Sequence, residues 1–221
     1  MDAGIIKMED ASSGVLFLLS AAVGVAMIGL GIIWPIIPVY AVELGAGGLL
    51  VGLIIASFNV SRTIFNPLAG RLSDKWGRKK FIAAGLFVYA GISLLYLLPT
   101  RPETLILLRF FHGMASVTVV PIAMALAADI APKQKLGLYM GTLNMAVMLG
   151  LGIGPVLGGI IQDRFGMETA FYTMGGLALL TGILVMIFIT GDNKREGSGK
   201  KPMITSFGKM LQHRVVLGIF I

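Results

Sequence analysis

The sequence contains no cysteine. That excludes a disulfide framework, a thiolate-held zinc site and a cysteine nucleophile. Its two histidines, His112 and His213, lie far apart in unlike settings and do not make a metal site. Charge is scarce as well: 13% of residues are charged, about half of the roughly 25% usual in a soluble domain. A water-soluble globule of this length could not cover its surface with so few charges. In their place stand 56% hydrophobic residues, 30 glycines and 13 methionines, with a mean hydropathy of +0.88.

The apolar residues fall into long uncharged runs at 11–42, 44–61, 81–100, 110–128, 136–162 and 169–191. A helix needs about 20 apolar residues to cross a hydrocarbon core of roughly 30 Å. The runs predict an all-α membrane protein with six transmembrane helices. The first run is too long for a signal-peptide core, and its flank Met1–Asp10 holds three acids and one lysine, so it reads as a retained span.

Lysine and arginine set the expected orientation. If the N-terminus is cytoplasmic, the inner segments are the N-terminal tail, 71–80, 129–135 and 191–214, carrying one, five, two and six cations. The outer loops carry only Arg101 and Arg164, while Arg62 and Arg109 lie within spans. This asymmetry predicts that both ends of the chain are cytoplasmic, in a multi-pass cell-membrane protein. Cations that flank spans in this way argue against a nucleic-acid partner. Residues 1–190 are expected to form one six-helix bundle, and 191–214 a cytoplasmic linker with an amphipathic segment. The apolar stretch 215–221 looks like the start of a truncated seventh helix, so the chain reads as the first half of a longer transporter.

Two loops share a pattern. Gly70-x-x-x-Asp74-Lys75-Trp76-Gly77 follows the second span, and Gly159-x-x-x-Asp163-Arg164-Phe165-Gly166 follows the fifth, 89 residues later. Three spans separate the copies, which places them on opposite sides, as an inverted 3+3 repeat requires.

The first loop continues as Gly77-Arg78-Lys79-Lys80. Glycine at both ends allows a tight reversal, and Asp74 can pair with Arg78 or accept backbone N–H groups at the next helix start. A topology anchor would explain the cations but not the Gly-x-Leu-x-Asp-x-x-Gly-Arg order. That order closely resembles the cytoplasmic loop motif of the major facilitator superfamily. Arg109-x-x-His112-Gly113 in span 4 resembles the family's second motif, with histidine in place of the usual glutamine. Asp129 matches the family aspartate that the resemblance implies pairs with the loop, forming a gate with Gly70, Asp74, Gly77 and Arg78. In span 5, Gly141, Gly150, Gly154, Pro155, Gly158 and Gly159 are spaced like the antiporter motif of drug–proton exporters, and Gly31-x-x-x-Pro35-x-x-Pro38 is similar to the twelve-helix exporter branch. There are departures: Leu136 precedes Gly137 where arginine is common, and Gly166-Met167-Glu168 replaces Gly-Trp-Arg.

Span 5 also makes physical sense without the resemblance. Gly150, Gly154 and Gly158, at i, i+4 and i+8, form one flat strip for close helix packing, and Pro155 frees a carbonyl. Charges inside spans are costly and point to function. Asn59, Arg62 and Asn66 form a polar stripe, as do Arg109, His112 and Ser116, and such stripes are expected to face the bundle interior or a watery cavity. Snorkelling toward the interface is the alternative for Arg62. His112 fits either a proton-sensitive group or a structural hydrogen-bonding residue.

Gly197-Ser198-Gly199-Lys200 fails the phosphate-loop spacing, so no nucleotide site or other cofactor is expected. The resemblance implies a secondary transporter, not an enzyme, that exports small amphipathic compounds by alternating access. Protons would be the coupling ion, and the lipid bilayer and a missing C-terminal six-helix half its other partners. A metabolite or sugar importer of the same superfamily and a non-transporting half-size membrane protein are the alternatives.

Overall fold

The computed structural model describes the backbone of residues 2–188 and the side chains of residues 14–188. The expected linker at 191–214 and the start of a seventh helix at 215–221 lie outside the described residues. What is described is helical: α1 (Asp2–Glu43), α2 (Gly48–Trp76), α3 (Arg78–Leu95), α4 (Pro102–Ser116), α5 (Val120–Ile130), α6 (Leu136–Phe165) and α7 (Met167–Phe188), with a short 3-10 turn at Lys133–Lys135. Helices satisfy every backbone polar group internally, as a hydrocarbon solvent demands. Among the described residues, five stretches are long and apolar enough to cross a bilayer: Gly14–Glu43, Gly48–Trp76, Pro102–Ile130, Lys133–Phe165 and Met167–Phe188. The third predicted span, α3, has 18 residues and opens with three cations, which leaves it the shortest apolar stretch.

The helices differ from the apolar runs at three places. Helix α2 continues about four turns past Ser61, because polar side chains end an apolar run without ending a helix. Helix α4 begins at Pro102, well before the fourth run, with proline in its first turn, where a missing N–H costs nothing. The fourth span is also not continuous: it breaks at 117–119 into α4 and α5. Pro121 is the cause, since it donates no hydrogen bond and its ring clashes with the carbonyl of Val117. The chain tightens instead, with the N–H groups of Thr118 and Val119 bonding Ala115 and Ser116 carbonyls at 3.1 and 3.3 Å. Thr118 Oγ1 donates to Ala115 O as well, at 2.7 Å. Its side chain rests on α3 where Gly85 leaves no room for a β-carbon.

Helix α1 packs along α6 and α7, α3 along α7, and α2 along α4. The core is aliphatic and aromatic, with Ile33, Ile36 and Ile37 of α1, Leu86 of α3, Leu105 of α4 and Phe171 of α7 fully buried. Large apolar side chains such as Leu53 and Ile64 on α2, and Met145 and Val156 on α6, lie exposed. In water such faces would drive aggregation; against lipid tails they are ordinary.

Gly77 and Gly166 turn the chain. Their φ values are +92° and +84°, and their N–H groups bond Ser73 O and Gln162 O, each at 3.0 Å. A new helix starts at the very next residue in both cases. A β-carbon at such a dihedral costs about 1–3 kcal/mol. Gly77→Ala should therefore lower the thermal stability of the purified chain by that amount. Gly70→Ala, at a helical site with open space, should be neutral or stabilising by up to about 1 kcal/mol. Equal melting curves for the two variants would contradict this account of the turn.

Candidate functional site

Three groups of the expected residues come together, and one does not. The first is an ion triad at the α2–α3 turn. Arg78 Nη2 donates to Asp74 Oδ1 at 3.1 Å, and its Nη1 lies 3.0 Å from Asp129 Oδ2, an ion pair with poorer hydrogen-bond alignment. Each charge sits at the wrong end of a helix. Asp74 is in the last turn of α2, Asp129 in the last turn of α5, and Arg78 opens α3. The helix dipole opposes each by about 0.3–1 kcal/mol. Their mutual attraction offsets that cost, so the triad joins three helix ends that would otherwise repel their own side chains. Asp74 remains more than half exposed, and exposed pairs are worth about 0–1 kcal/mol. The link is specific but weak enough to open.

The second group is buried. Arg109, His112 and Ser116 of α4 all lie inside the bundle, as the stripe predicts, with Arg109 3% exposed and His112 0%. His112 Nδ1 is 3.1 Å from Tyr96 Oη. The imidazole is boxed by aromatic rings, Tyr89 at 4.4 Å, Phe58 at 5.4 Å and Tyr96 at 5.8 Å between centroids, all near edge-on. The guanidinium of Arg109 lies 5.0 Å from the Phe58 centroid. No carboxylate pairs with it among the described residues. Its Nε and Nη1, and His112 Nε2, have no hydrogen-bond partner among the described residues. Cation–π attraction of about 0.5–2 kcal/mol does not offset the several kcal/mol of desolvating a guanidinium.

The aromatic box was not anticipated. Tyr89 and Tyr96 are seven residues apart on α3 and so share a helix face, a spacing visible in the sequence. Nothing in the sequence says which helix they meet.

The third group is the glycine strip. Gly150, Gly154 and Gly158 are buried against α1. A β-carbon added to Gly154 would stand 2.6 Å from Gly31 Cα, and one on Gly150 2.6 Å from Gly24 O. Pro155 Cδ would stand 3.1 Å from a β-carbon on Gly31. Gly159 and Gly141 meet nothing within 4 Å and take no part in this seam.

The α2 stripe is placed differently. Asn59 and Asn66 are exposed and Arg62 is half-buried, 5.6 Å from the Phe58 centroid. None of the three enters the bundle interior, which leaves a cavity outside this bundle as the surviving form of that expectation.

The major facilitator superfamily profile matches residues 19–221. This chain belongs to that superfamily. It is a multi-pass membrane protein of a transporter family, not an enzyme. The uncharacterized MFS-type transporter MJ1560 of Methanocaldococcus jannaschii is 43% identical over 158 residues, 72% of this chain and 41% of that protein. The quinolone resistance protein NorA of Staphylococcus aureus strain N315 is 30% identical over 184 residues, 83% of this chain and 47% of that protein. The chain thus spans about half the length of these superfamily relatives.

The buried box separates two tyrosines chemically. Tyr96→Phe strips Nδ1 of His112 of its partner and should cost about 1–3 kcal/mol. Tyr89 Oη is buried without a partner, so Tyr89→Phe should be neutral or slightly stabilising. Thermal unfolding of both purified variants checks this, and a larger loss for Tyr89→Phe would contradict it.

Proposed function

We propose that this chain forms the first six-helix bundle of a proton-coupled exporter of small amphipathic compounds, both of its ends cytoplasmic, with a second bundle completing the path. The observation that carries the proposal is Arg109, a buried permanent cation beside His112 that has, among the described residues, two nitrogens unpartnered and no carboxylate of its own. Such a charge is stabilised when a carboxylate or other acceptor is brought to it. Rocking an opposing bundle against this one would do that in one state and not in the other. Asp74, Arg78 and Asp129 then serve as the inner gate, a cross-helix link that holds one access state and opens in the other. The polar stripe Asn59, Arg62 and Asn66 faces the cavity between the two halves. The similarity to a quinolone resistance protein favours an amphipathic solute moving outward.

An inverted repeat suits this mechanism, and the packing supports it. Under an offset of 89, the α1–α6 contact of Gly24 with Gly150 becomes the α4–α2 contact of Gly113 with Ser61. The α3–α7 contact of Ser93 with Gly175 becomes that of Gly182 with Leu86 on the same two helices. Gly77 and Gly166, two of the three glycines with positive φ among the described residues, obey the same offset.

The test uses the complete protein carrying this chain, in inside-out vesicles with a preformed pH gradient. Adding an amphipathic solute should collapse part of the gradient in wild type and none of it in Arg109→Ala at equal expression. Arg109→Lys should recover only part of the response, since an ammonium does not replace the guanidinium fork. A full response from Arg109→Ala would place the proton path elsewhere, and solute entering intact cells together with protons would make the protein an importer.

A further inference from the structure

Helices α2 and α3 are consecutive and antiparallel, yet they touch little beyond their shared turn. The wedge between them is floored by the broken end of α4, where Thr118 lies on Gly85. It encloses an apolar cleft of about 290 Å³, lined among others by Leu68, Leu72, Trp76, Phe81, Ala84 and Thr118. Roughly 30 Å³ per water makes this about ten water volumes, but a cleft whose lining is almost wholly apolar does not hold water well. Ala84, Leu68 and Trp76 are exposed, so the cleft opens on the outside of this bundle.

Charge surrounds the lower end. Trp76 and Phe81 meet edge to face at 6.4 Å there, and residues 71–80 carry five cations against one acid, Asp74. Arg71 and Lys75 are exposed, one helical step beside the Leu68–Leu72–Trp76 row. Lys80 lies one turn from Ala84 on the facing helix. Asp74, the acid, is taken by Arg78.

We propose that this cleft is a site for one anionic phospholipid, its acyl chain in the apolar wedge and its phosphate against Arg71, Lys75 and Lys80. Both halves of the molecule find their complement within one cleft. The apolar wall accepts the chain, the indole of Trp76 sits at headgroup level as interfacial tryptophans do, and basic side chains beside the membrane attract anionic headgroups by about fivefold each. A lipid wedged beside the α2–α3 turn would also brace the ion triad of Asp74, Arg78 and Asp129. The inference does not depend on which solute is carried or in which direction.

The chain has two tryptophans, Trp34 and Trp76, so Trp34→Phe leaves Trp76 as a single reporter. In the complete protein any tryptophan beyond residue 221 is replaced likewise. The protein is reconstituted with phosphatidylglycerol or phosphatidylcholine brominated on matched acyl chains, and quenching of Trp76 is measured against lipid fraction. The expected result is several-fold stronger quenching by the phosphatidylglycerol. Arg71→Gln with Lys75→Gln, at about fivefold for each cation, should bring that preference close to unity. Ala84→Phe fills the cleft at an exposed site and should abolish quenching above the level of bulk lipid, while circular dichroism stays unchanged. Equal quenching by the two lipids in wild type overturns the proposal. So does a preference that survives Ala84→Phe, or Trp76 shielded from both lipids, which would mean that protein covers the cleft.

Discussion

Lipid tails give helices no hydrophobic reason to associate, so a bundle in a membrane depends on how closely its backbones approach. In this chain that constraint is met along one seam. Helix α6 presents Gly150, Gly154 and Gly158 to α1, and α1 answers with Gly24 and Gly31. With no side chains between them, backbone lies on backbone, and α1 runs through the middle of the bundle with α7 on another flank. The α2–α4 contact repeats the device on a smaller scale, Gly113 lying against Phe58 and Ser61. The α2–α4 seam sets Arg109 and His112 of α4 against Phe58 of α2.

The polar groups divide into two economies of charge. At the α2–α3 turn one arginine meets two carboxylates near water, at helix ends whose dipoles disfavour all three, and the link is cheap to break. In the bundle interior Arg109 has no carboxylate partner among the described residues and lies against the face of Phe58. A partly exposed cluster that sets one cation between two acids and a buried cation without one suit different tasks. The first can latch and release. The second creates a standing demand for an acceptor, which links the energy of this bundle to whatever comes to face it.

Much of this was legible in the sequence, for identifiable reasons. Uncharged runs announce spans because charge is expensive in hydrocarbon, and the i, i+4, i+8 glycines announce a flat face because helix geometry puts them there. The left-handed turns at Gly77 and Gly166 were visible as a repeated loop pattern. Helix ends were less legible. Helix α2 runs on to Trp76 and α4 starts at Pro102, because hydrogen bonding, not hydropathy, decides where a helix stops. The break at 117–119 went unseen although Pro121 was in plain view, since an apolar run does not distinguish one span from two half-helices. Partners across space were the hardest to read. The pairing of Asp129 with the loop came from family resemblance and not from spacing, while Arg78 as its partner there and the aromatic box around His112 needed the third dimension.

The central claim is that the α1–α6 seam organises the bundle and carries its motion. Gly152 and Gly154 lie on the same helix two residues apart, one with nothing within 4 Å and the other against Gly31. Replacing each by alanine adds the same methyl group and the same helix propensity. The most direct measurement is the thermal midpoint of the two variants together with their solute transport. Gly152→Ala should match or exceed wild type in both. Gly154→Ala should lose about 1–3 kcal/mol of stability through overpacking and most of its transport. Two variants that behave alike would mean that glycine at this seam is incidental and that the bundle is held together some other way.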